Sequence, residues 1–131
     1  MMTQKQNTII EDYVSFEIAK LLKDKGFNEP CETSYYTSVS MGDFTKVRPY
    51  RDDLIAAPTH QMAMKWLREV KGIYITIGHG DYPSLKKHFF IPTIEDLEAV
   101  YGVDDEEVTQ EFDTYEEAVE AALKYCLTKV I

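Results

Sequence analysis

At 131 residues, with 44% apolar and 12% aromatic side chains, the chain has material for one proper core, not two, and is too apolar to be disordered. No apolar run approaches the ~20 residues of a membrane helix, and the polar, acid-dotted start lacks the continuous apolar segment of a signal peptide, so a cytoplasmic protein is expected. The net charge of −9 opposes non-specific nucleic-acid binding, which draws its affinity from Lys and Arg at phosphates.

Residues 8–26 carry Ile10, Val14, Ile18, Leu21 and Leu22 at helical spacing, with Ile9, Tyr13 and Phe16 widening the stripe. Lys23 and Lys25 suit the last turn, Gly26 suits the left-handed residue past the end, and Phe27 is placed to fold back onto Leu22. "CETSYYTSVS" then alternates Cys31, Thr33, Tyr35, Thr37 and Val39 against polar neighbours, which predicts a strand. Residues 41–57 show no clean period; a tract of that length either carries function or hides a short element. A second helix is predicted from Pro58 or a Thr59 cap to about Val70, burying Met62, Ala63, Trp66, Leu67 and Val70. Gly72 ends it.

"IYITIG" points Ile73, Ile75 and Ile77 inward, "GHGDYPS" is turn chemistry, and "LKKHFFI" returns, so 73–91 reads as a hairpin with a medium-length loop. "TIEDLEAVYG" fits either a short helix capped by Thr93 or continued extended chain, "DDEE" a solvated turn, and "EVTQEF" one more strand. Asp113 or Thr114 caps a last helix whose stripe is Val119, Leu123, Cys126, Leu127 and Val130. The order α-β-α-β-β-(β)-α predicts a single α+β domain, its helices packed on a mostly antiparallel sheet. Cys31 and Cys126 sit in no C-x-x-C pair and read as reduced thiols, not a disulfide.

The segments "SFEIAKLLKDKGF", "APTHQMAMKWLREVKGIYITI" and "TYEEAVEAALKYCL" together resemble a family of unknown function, small proteins encoded by phages, prophages and mobile elements of gut bacteria. The stretch from Glu95 to Glu111 has no counterpart in that resemblance. It implies a setting, an intracellular accessory protein of a mobile element, and brings no reaction, cofactor or catalytic residue with it.

Charge distribution supplies the leading functional expectation. From His88 to Leu123 there is no Lys or Arg, while twelve acids fall between Glu95 and Glu120, leaving eleven acids against fourteen bases elsewhere. An acidic C-terminal third of this kind can engage a basic protein partner. The alternative is a nucleic-acid-binding module in the 41–57 loop, where Phe44, Lys46, Arg48, Tyr50 and Arg51 come after Tyr35 and Tyr36 in the mixture used for base stacking and phosphate pairing. Rings covering a sheet edge explain the same residues more simply, and the acidic start of the last helix argues against double-stranded RNA, so nucleic acid is disfavoured.

A third reading places an enzyme or metal protein around the hairpin histidines. His60, His79 and His88 are separated by 19 and 9 residues, without the tight ligand spacing of a zinc signature. His79 and His88 can approach each other only if the hairpin closes. Ser84 has no G-x-S-x-G context, and "GHGDY" lacks the third glycine and the succeeding helix of a phosphate loop. The sequence therefore predicts no catalytic set, no metal and no cofactor. Candidate binding residues are Tyr36, Arg48, Tyr50 and Arg51 in the loop and His79, Asp81 and Tyr82 in the hairpin. The sequence is compatible with a monomer or a homodimer.

Overall fold

Ser15 sets where the first helix begins. In the computed structural model, which describes residues 9–37, 42–97 and 105–131, its hydroxyl accepts a hydrogen bond from the Ile18 N–H at 3.3 Å, and α1 spans Phe16–Asp24. The helix predicted from residue 8 is thus shorter at its start. Residues 12–14 form a strap along the chain entering the second helix: Val14 N–H donates to the Pro58 carbonyl (3.0 Å) and His60 N–H to the Asp12 carbonyl (2.8 Å). Ile9 and Ile10, assigned by periodicity to a buried stripe, are 96% and 76% exposed. The far end of α1 is as expected: Gly26 adopts φ 98°, and Phe27 N–H reaches back to the Leu22 carbonyl at 2.9 Å.

Next along the chain are three short strands, β1 (Ser34–Tyr36), β2 (Asp43–Thr45) and β3 (Leu54–Ala56), paired antiparallel in the order β2-β1-β3. The long strand predicted over 31–40 contracts to three residues, and its Val39 lies outside the described ones. The tract without a period supplies the two flanking strands, each too short for an alternation to register. Tyr35 centres this sheet: it pairs with Phe44 and Ile55, and its hydroxyl donates to the Val14 carbonyl at 2.6 Å.

Thr59 caps α2 (His60–Trp66) by accepting from Met62 N–H at 3.1 Å, and the helix continues as a π turn over Leu67–Lys71 to Gly72, whose φ is 68°. The wider turn shifts its side chains off the 3.6-residue phase. Val70, predicted buried, is 55% exposed; Met62 is also exposed, and Met64 is buried instead. The hairpin is longer and its loop tighter than "GHGDYPS" implies. Strand β4 spans Ile73–Tyr82, β5 spans Lys87–Asp96, and only Pro83–Leu85 and the left-handed Lys86 turn between them. Gly80 keeps the strand straight by leaving room for a ring, since a Cβ there would lie 2.2 Å from Cζ of Phe89.

Of the two readings of "TIEDLEAVYG", the extended one holds through Asp96; residues 98–104 lie outside the described chain. "EVTQEF" is not a strand. Asp105 winds it into turns, its carbonyl accepting from the N–H groups of Val108 and Thr109, and only Phe112 bridges back, exchanging both backbone hydrogen bonds with Phe90 at 2.8–2.9 Å. Helix α3 (Tyr115–Tyr125) is capped by Thr114, runs on as a π turn over Cys126–Val130, and packs against β4, β5, α1 and α2. One cluster containing Ile18, Leu22, Ile55, Leu67, Ile73, Ile94, Leu123 and Leu127 joins helices and both sheets, giving an α+β fold with antiparallel sheets. Both cysteines are free thiols, and burial of Cys126 pushes its thiol up to about 12.

Candidate functional sites

Of the loop candidates, Arg51 is brought onto Tyr36 and Tyr50, and each arginine is held by a carboxylate of its own. Arg48 makes two contacts with the Glu32 carboxylate, both at 3.0 Å, and Arg51 makes two with Asp53, at 2.9 and 3.1 Å. These are paired fork contacts, the geometry in which a guanidinium would otherwise hold a phosphate. The Arg51 guanidinium also lies over the rings of Tyr36 (5.7 Å) and Tyr50 (5.4 Å). Phe44 packs on Tyr13 and Tyr35 at 4.9 and 5.5 Å. The rings of Tyr35 and Phe44 thus pack on one another across β1 and β2, and both arginines are paired with carboxylates.

At the hairpin tip, the strand register gathers residues that are distant in sequence. Asp81 stands opposite His88 and His79 opposite Phe90, which puts all four on one face. His79 Nε2 lies 3.4 Å from both His88 Nδ1 and Asp81 Oδ1, and His88 Nδ1 hydrogen-bonds the same Asp81 oxygen. Tyr82 alternates to the other face, where its hydroxyl donates to Glu111 at 2.6 Å; that bond, with some burial and the nearby charge, raises its pKa.

Much of the acidic third is engaged internally. Glu107 pairs with Lys129 (2.9 Å), Asp113 with Lys87 (3.3 Å), and Asp105 accepts from the Tyr125 hydroxyl (2.9 Å). The Asp105 carboxylate is held low first by the Glu107 backbone N–H and then by Tyr125. Four carboxylates, Asp12, Glu116, Glu117 and Glu120, line a shallow, open cleft of about 510 Å³ between the strap, the start of α2 and the start of α3, together with Tyr13, Ser15, His60 and Phe112. A smaller hollow beside it shares Asp12 and His60 and adds Glu11, Tyr115 and the exposed Ile9 and Ile10.

His60, at the start of α2, is only 4% exposed. Its Nε2 meets Glu120 Oε2 at 2.8 Å, and the same oxygen accepts the Ser15 N–H at 3.1 Å. Burial pushes the Glu120 carboxyl up, but the hydrogen bonds from His60 and Ser15 outweigh it and leave the group below its ordinary range. The other ring nitrogen, Nδ1, is buried and has no partner among the described residues. Glu117 takes the Thr114 hydroxyl as part of the helix cap, and Glu116 beside it also suits the positive end of α3. Asp12 and Glu116 make no side-chain hydrogen bond or ion pair among the described residues.

No family model matches the chain, and no curated protein or solved structure matches it either.

Proposed function

We propose that the protein is a non-enzymatic binding protein that takes a basic segment of a partner protein, Lys or Arg among apolar residues, into the cleft beside α3. The observation that carries this reading is the lining: four carboxylates, no Lys or Arg, and the rings of Tyr13 and Phe112 around about 510 Å³. A guanidinium or ammonium entering there meets negative charge and aromatic faces together. Among the described residues, Asp12 and Glu116 have no internal counter-charge to give up, and Ile9 and Ile10 offer exposed apolar surface next door. This reading narrows the broad acidic third to the start of α3, where Glu116 makes no side-chain hydrogen bond or ion pair among the described residues. It also suits the accessory protein of a mobile element that the resemblance implies.

The test is fluorescence anisotropy with a Lys/Arg-rich peptide and its Glu-substituted counterpart, at low and at physiological ionic strength. The basic peptide is expected to bind and to weaken with salt, because rim charges act through screened attraction. The double variant D12N/E116Q is expected to bind it about threefold to tenfold more weakly, two rim charges each contributing a fraction of a kcal/mol. Equal binding by the variant, or none by the wild type at low salt, overturns the proposal.

A further inference from the structure

The hairpin tip carries chemistry that the cleft does not use. We propose that His79, Asp81 and His88 form a binding site for a zinc-type divalent cation, with His79 Nε2, His88 Nδ1 and one Asp81 oxygen as its three protein ligands. These donor atoms lie within 4.8 Å of one another on one face of the β4–β5 hairpin. Both edges from His79 Nε2, to His88 and to Asp81, measure 3.4 Å. Ligands about 2.0–2.1 Å from a tetrahedral centre stand about 3.3–3.4 Å apart, so two of the three edges already have the length that such a site needs. The third edge is the direct His88–Asp81 hydrogen bond, and it opens by rotation of an exposed carboxylate as the ion takes the place of the bonding proton.

The donors are held from below. The His79 ring stacks on His88 at 5.4 Å and tilts against Phe90 at 5.3 Å, and Phe90 is fixed by its paired backbone bonds to Phe112 and by the edge of Tyr115. Lys87, the nearest strand cation in sequence, alternates to the other face and pairs with Asp113. Two imidazoles and one carboxylate favour a borderline ion over Mg²⁺ or Ca²⁺, which prefer all-oxygen shells. Three protein ligands on an exposed tip leave a fourth position to water, the open arrangement rather than the closed structural one.

The experiment is titration of the full chain with Co²⁺ monitored by visible absorption, then displacement by Zn²⁺, with Mg²⁺ and Ca²⁺ as controls. One equivalent of Co²⁺ is expected to give a tetrahedral spectrum that Zn²⁺ abolishes, and Mg²⁺ and Ca²⁺ are expected to leave it unchanged. Losing even an outer-shell partner costs about 10–100-fold in metal affinity, so H79Q, D81N and H88Q are each expected to cost no less than about tenfold. These side chains are exposed, and circular dichroism checks that each variant is folded. The C31S variant is expected to bind as the wild type does, which separates the trio from the half-exposed thiol. Absence of saturable Co²⁺ or Zn²⁺ binding by the wild type, or binding unchanged in H79Q/H88Q, overturns the site and leaves the trio a hydrogen-bonded cluster only.

Discussion

Glu120 occupies the apolar phase of α3, four residues after Glu116 and three before Leu123, where a carboxylate has to find partners or leave the core. It finds His60 Nε2 and the Ser15 backbone N–H, so one oxygen ties α2 and the strap to α3. Its folded pKa lies below the unfolded value near 4.5, so the unfolded chain binds the proton more readily. The stabilisation is therefore complete above that value and is lost as pH falls through the lower, folded one. Urea unfolding at about pH 7 and about pH 3.5 is expected to show the wild type losing more stability on acidification than E120Q, which starts lower but has no carboxyl to titrate. An identical loss in both would remove Glu120 as the source. The sequence showed Glu120 only as one acid among twelve; its partner, sixty residues away, is set by packing.

At the scale of the element, the hairpin shows how a strand passes through residues that signal a turn. Gly78, Gly80 and Asp81 resemble loop chemistry, yet cross-strand pairing runs unbroken to Tyr82–Lys87. Gly80 contributes by having no side chain, which lets the Phe89 ring lie over it and against Tyr82 at 4.9 Å. Gly80→Ala pushes that ring aside and is expected to cost about 1 kcal/mol in chemical denaturation, with faster amide exchange confined to the tip. No change in either measurement would mean that the ring has room to move. The same register converts an uninformative nine-residue spacing between His79 and His88 into adjacency. Spacing signatures of metal sites capture ligands on one turn or one helix. A site assembled across two strands has no such signature, because the loop length between its ligands is arbitrary.

For the whole molecule, α3 is the common support: Ala118, Val119, Ala122, Leu123, Cys126 and Leu127 are all buried, and the helix packs on both hairpin strands and the other two helices. Leu123→Ala is expected to lower unfolding stability by about 2–5 kcal/mol and to keep a single cooperative transition. Two separated transitions would instead divide the three-stranded sheet from the hairpin. The ion pairs that tie the acidic third to the rest, Glu107–Lys129 and Asp113–Lys87 among them, are exposed and add little to that stability.

The sequence by itself determined the three helices, the Gly26 and Gly72 endings, the hairpin and the α+β class, because each rests on local periodicity, capping chemistry or turn residues within a few positions. Tertiary structure decided that Ser15, and not an earlier residue, caps the first helix, since the strap's backbone pairs with Pro58 and the Ser15 N–H is taken by Glu120. It likewise decided that 41–57 supplies two strands of a sheet, that "EVTQEF" turns, and that His60 is buried. Both candidate sites belong to this second group. Their residues come from separate elements, and only the packing of α2 on α3, or the register of β4 on β5, sets the distances on which their chemistry depends.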